Sequence, residues 1–118
     1  MTVKECYEEA GGNYEDVMSR LRTDDRVIRF LGKVADDGSF ALLSQSLEAR
    51  NMEDAFRAAH TLKGVCLNLS LTRLYNSSAQ LTEALRGRNE YGADLEPLFE
   101  TVKQDYERTV SCIRRLLN

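Results

Sequence analysis

The chain has no tryptophan, one proline and one histidine among its 118 residues. A single proline imposes few breaks, so long helices are open to it. Its three cysteines, Cys6, Cys66 and Cys112, lie far apart, with no CxxC pair and no second histidine. That excludes a thiolate–imidazole metal site; the three read as reduced thiols, Cys66 as a small buried apolar residue. A basic excess is missing too: the formal net charge is -3, against the positive field that nonspecific nucleic-acid binding requires. Apolar runs are only a few residues long, and Met1-Thr2-Val3-Lys4-Glu5-Cys6 lacks the apolar core of a signal peptide. The expectation is a cytoplasmic protein with no nucleic-acid or membrane partner. There is no glycine-rich ATP-binding sequence, so autophosphorylation is not expected.

What is present is 42% hydrophobic and 30% charged content, the balance of a mostly helical domain. A chain of this length forms one domain and buries roughly two thirds of its unfolded surface. No stretch alternates as a strand does, and apolar residues recur at three- and four-residue steps almost throughout. Thr2–Ala10 predicts a short helix stopped by Gly11-Gly12, and Asn13 caps a second one through Leu21, both lids on a larger body. Thr23 caps a helix with the stripe Val27, Phe30, Leu31 and Val34. At Asp36-Asp37-Gly38-Ser39 the stripe loses phase before resuming at Phe40, Leu43 and Leu47; the helix breaks or bends there, and one long bent helix is the expectation. Asn51, with Asp54 three residues on, opens the next helix, which runs to about Leu69. After a very short link comes a helix with inner stripe Leu74, Ser78, Leu81 and Leu85. Asp94 caps a last one, with Pro97 in its first turn. The predicted fold is all-α: an antiparallel up-and-down four-helix bundle (residues 23–118) with short N-terminal helices (1–22) in one domain.

The only histidine stands in Ala58-Ala59-His60-Thr61-Leu62-Lys63-Gly64. Ala55, Ala59, Leu62, Cys66 and Leu69 form the seam that a helix turns to a bundle interior. Phe56, His60, Lys63, Gly64 and Leu67 form the adjacent, partly exposed stripe. Neutral imidazole is a good nucleophile near pH 7. Exposure, a cation for phosphoryl oxygens (Lys63) and room for a donor protein (Gly64) would make it a phosphoryl acceptor. Singly, each has a plainer reading: a packed boundary histidine, a solvated lysine, a glycine at a close helix contact. Their joint spacing on the exposed stripe is what core packing gives no reason for, since a glycine inside a helix costs about 1 kcal/mol relative to alanine.

Ala59-His60-Thr61-Leu62-Lys63-Gly64, followed by Asn68-Leu69 at the end of the same helix, resembles the signature of the histidine-containing phosphotransfer family, the HPt domains of multistep phosphorelays. The resemblance extends in helix order from about Asn13 to the C-terminus. It implies that His60 takes a phosphoryl group on Nε2 from the aspartyl phosphate of a response-regulator receiver domain and passes it to another receiver. Hybrid histidine kinases are the other implied partners. It also implies no cofactor in this chain, the Mg²⁺ being held by the receiver. Lys63 would steady the phosphoryl charge and Gly64 would let the receiver approach. Two positions depart from the pattern: Leu67 replaces a small residue and Ser70 a second glycine. Leu67 narrows access or serves, with Phe56, as an apolar docking contact. Where many members orient the imidazole with Gln or Glu from the next helix, the matching position is Thr82; Arg86, one turn after Thr82, and Arg57, one turn before His60, are candidate extra cations. The competing functions are an HPt-like binding module that docks on receivers or kinases without accepting phosphate, and a helical scaffold in which His60 is incidental.

Overall fold

Four polar residues start helices by accepting a backbone N–H with their own side chains, and these caps mark most of the chain's divisions. The computed structural model describes all residues, 1–118. Helix α1 (Val3–Ala10) opens on a complete capping box between Thr2 and Glu5. Asn13 caps α2 (Tyr14–Leu21), Thr23 caps α3 (Asp24–Asp36) and Asn51 caps α5 (Met52–Asn68). Helices α4 (Ser39–Glu48), α6 (Thr72–Leu85) and α7 (Leu95–Leu117) start without a side-chain cap. The chain is 79% helix with no strand.

Helix α5 is the central element. It packs on α4 along one flank and on α6 along the other, and α6 packs on α7. Its inward residues, Ala55, Ala58, Ala59, Leu62 and Cys66, are mostly small, so both neighbours approach closely. Helices α3 and α4 together supply the remaining arm of the bundle: α3 lies against α7. Phe40 of α4 stacks between two rings of α7, 5.7 Å from Phe99 and 4.2 Å from Tyr106.

Three expectations are corrected. The α3–α4 stretch breaks instead of bending: Asp37 is extended at φ -70, ψ 134, and its carboxylate accepts the Ser39 N–H at 2.8 Å, which starts α4 afresh. Asp94 occupies the cap position of α7 but makes no cap hydrogen bond. Both its oxygens are taken by Arg88, at 2.9 and 2.7 Å, pinning the α6–α7 loop instead. Finally, α1 is no lid. Val3, Cys6, Tyr7 and Ala10 belong to the core, and the Tyr7 hydroxyl donates to the Leu69 carbonyl at 2.8 Å. The Gly11-Gly12 pair allows this seat. A Cβ on Gly12 would stand 2.6 Å from the Tyr7 ring and 2.9 Å from the Ser70 carbonyl.

No helix is long and apolar enough to cross a membrane. All three cysteines are free and buried. Burial pushes the Cys66 thiol up to about 12 and the Cys6 thiol to about 11, so neither is a nucleophile near neutral pH.

Candidate functional site

His60 sits near the middle of α5, one step round the helix from the buried Ala59. That rotation leaves the imidazole exposed, and it enters no ion pair with the rest of the chain. The stripe predicted beside the buried seam is present: Phe56, Lys63 and Gly64 are half-buried and Leu67 is 57% exposed. The Phe56 ring lies one turn before the imidazole, at 5.9 Å between centroids and tilted by 36°.

Gly64 is not a packing residue. A Cβ built on it meets nothing within 4 Å, so the close helix contact that would justify a glycine is absent inside this chain. Lys63 takes part in none of the ion pairs of the domain, which leaves its ammonium available to an incoming anion.

The supporting residues are placed differently from the sequence expectation. Thr82 is fully buried and its hydroxyl donates to the Ser78 carbonyl at 2.7 Å, so it does not orient His60. Thr82 lies one turn beyond Ser78 on the inner stripe of α6, and that spacing already turns it inward. The next residue, Glu83, is the one that faces the site. Its carboxyl is held below the usual range first by hydrogen bonds from Arg86 and further by the charges of Lys63 and His60. Sequence reasoning missed Glu83 by one residue of helix rotation; its signal was the i,i+3 pair with Arg86 on the outer face.

Arg86 does stand at the site. It donates to Glu83 through Nε at 3.1 Å and through a terminal nitrogen at 2.9 Å, and its guanidinium lies 5.1 Å from the centroid of the Phe56 ring. Arg57 does not join them: it is engaged by Glu53 and, at 3.7 Å, by Asp54 along its own helix.

Ser70, the second departure, is explained by backbone geometry. It has φ 55, a left-handed conformation that favours glycine. Its hydroxyl donates to Asp16 at 2.6 Å and accepts from Arg20 at 2.6 Å, and Arg20 also donates to the Asn68 carbonyl at 2.8 Å. These bonds from α2 offset the strain at the end of α5.

No group of three or more histidine, cysteine or acidic side chains is arranged to hold a metal ion. A groove of about 460 Å³ among α2, α3 and α5 is lined by Leu21, Phe30, Val34, Val65 and Leu69, and His60 is not part of it. The arrangement at His60 therefore offers one exposed nitrogen nucleophile, two nearby cations and an open approach, with no enclosed cavity for a small substrate. No curated protein and no solved structure matches the chain. A family model described as Hpt domain matches residues 29–112, from early α3 to late α7, a stretch that contains His60, Lys63, Gly64, Glu83 and Arg86. With that match over well more than half its length, the chain belongs to the Hpt domain family, the phosphocarrier modules of two-component signalling, which are not kinases.

Proposed function

We propose that this domain is a phosphorelay intermediate in which His60 accepts a phosphoryl group from the aspartyl phosphate of one receiver domain and delivers it to another. In the accepting step a lone pair on an imidazole nitrogen attacks phosphorus. The P–N bond forms, the P–O bond to the aspartyl group breaks, and the carboxylate leaves with the bonding pair. The proton on the other ring nitrogen balances charge until solvent takes it, and delivery is the reverse. The observation that carries the reading is the open space over Gly64 beside an exposed imidazole: a glycine in mid-helix is disfavoured by about 1 kcal/mol, no contact within the chain accounts for it, and an approaching partner would.

Lys63 supplies the positive charge that phosphoryl oxygens need in the transition state. Leu67 and Phe56 offer apolar contact to the partner on the same stripe. Any Mg²⁺ belongs to the receiver. The chain has no autokinase role of its own.

The reading is tested by mixing the protein with a receiver domain carrying labelled aspartyl phosphate. Label should move to wild type as an acid-labile, base-stable adduct and not to His60→Gln. Transfer to His60→Gln overturns the assignment. Wild type that binds the receiver without taking label points to a docking module instead.

A further inference from the structure

Arg86 is the last residue held by α6. Its backbone is already extended at φ -60, ψ 122, and Gly87 follows at φ 66, so the chain turns away immediately after it. The guanidinium reaches back over the Phe56 ring, and Phe56 in turn sits beside the imidazole of His60. Only Nε and one terminal nitrogen are used by Glu83, which leaves further N–H donors of the guanidinium free.

The pair is a surface pair: the Arg86 side chain is 53% exposed and that of Glu83 61%. Such pairs are weak and exchange readily. A phosphoryl group carries a charge of about -1.5 to -2 near pH 7 and accepts bidentate hydrogen bonds from a guanidinium. On His60 it would be a stronger anion than the Glu83 carboxylate and within the same cluster of charges. In the unloaded domain the hydrogen bonds from Arg86 hold the Glu83 carboxyl below the usual carboxylate range.

We propose that Glu83 is a built-in anionic competitor for the phosphoryl group: it holds Arg86 in the unphosphorylated domain and surrenders it to the phosphoryl oxygens when His60 is loaded. The remaining repulsion from Glu83 then lowers the hold of this domain on its phosphate and favours passing it on. Glu83 and Arg86 act on the phosphoryl group electrostatically and are positioning residues, distinct from the nucleophile. The proposal rests on the phosphotransfer reading of His60.

The test uses the whole chain loaded with phosphoramidate, which reacts with an exposed imidazole without a receiver: the P–N bond to His60 forms, the P–N bond of phosphoramidate breaks, and its nitrogen leaves as ammonia with the proton the imidazole gives up. The charged groups of the cluster around the adduct are Lys63 from α5 and Glu83 and Arg86 from α6, while Arg57 is engaged by Glu53 and Asp54 along its own helix. Phosphorus NMR then follows the second ionisation of the phosphohistidine. E83Q should lower its midpoint and R86Q should raise it, each by roughly 0.2–0.7 units, the size expected of a surface ion pair. The Arg86 Nε–H resonance of wild type should shift on loading. In equilibrium with a receiver, E83Q should retain phosphate on His60 roughly two- to fivefold more than wild type. A midpoint unchanged by E83Q, or an Arg86 resonance unmoved by loading, overturns the exchange. Shifted midpoints together with a domain that no receiver loads or unloads would uphold the exchange and reject the relay function instead.

Discussion

Gly64 separates the needs of the fold from those of the proposed partner. Inside the chain its missing Cβ relieves nothing, so Gly64→Ala should raise thermal stability by up to about 1 kcal/mol through helix propensity. The same methyl group would stand between His60 and an approaching receiver. Receiver-dependent transfer should fall on the order of tenfold or more, because a displacement of about 1 Å is enough for that. Loading by phosphoramidate, a small donor, should be unchanged. Calorimetry and the two labelling assays check the three outcomes, and a loss of stability would mean that the glycine serves packing. Leu67, 57% exposed on the same stripe, should behave alike: Leu67→Ala is expected to leave stability within about 0.5 kcal/mol while slowing transfer from a receiver. At this scale the sequence placed His60, Lys63 and Gly64 on one stripe of a helix, since neighbours at i+3 and i+4 are fixed by local geometry. It misplaced the contribution of α6, where Thr82 points inward and Glu83 outward. Sequence spacing within α6 does not state how that helix is rotated against α5.

At the scale of elements, the junction of α5 and α6 depends on a residue that would ordinarily avoid its conformation. Ser70 holds φ 55 because Asp16 and Arg20 of α2 grip its hydroxyl. Ser70→Ala keeps the strained backbone and loses the grip, and should destabilise the domain by about 1–2 kcal/mol. Ser70→Gly loses the grip but relaxes the backbone, so denaturant unfolding should place it between the two. Asp16 adds a pH dependence. Its carboxyl is held below the usual range by the hydrogen bond from Ser70 and then by Arg20. A carboxyl with a depressed folded-state pKa stabilises the fold above its unfolded value, near 4, and loses that contribution as pH falls through the folded value. The melting temperature of Asp16→Asn should therefore lie below wild type at pH 6–7, with the difference narrowing as pH falls below the unfolded value. The caps at Asn13, Thr23 and Asn51 were legible because each acts within three residues. Asp94 was misread because Arg88, six residues earlier in the same loop, claims its carboxylate.

For the whole molecule, the N-terminal helix proves to be part of the bundle. Tyr7 is 1% exposed and joins α1 to the end of the α5 helix through the Leu69 carbonyl. Tyr7→Phe retains the ring and leaves that carbonyl without its donor, which should lower stability by about 1–2 kcal/mol and the melting temperature by several degrees. Far-ultraviolet circular dichroism on heating measures both. A change within error would mean that α1 is a loosely held lid after all. The amino-acid sequence by itself determined that this protein is helical, where most of its helices start, and that one stripe of α5 carries an exposed histidine with a lysine and a glycine. All of these are set by contacts within a turn or two of the same helix. Only the tertiary structure decided that α1 enters the core, that the α3–α4 stretch breaks, and that Glu83 and Arg86, not Thr82 and Arg57, complete the charge around His60. Those outcomes depend on the rotation and approach of helices distant in sequence, which packing of the assembled core selects.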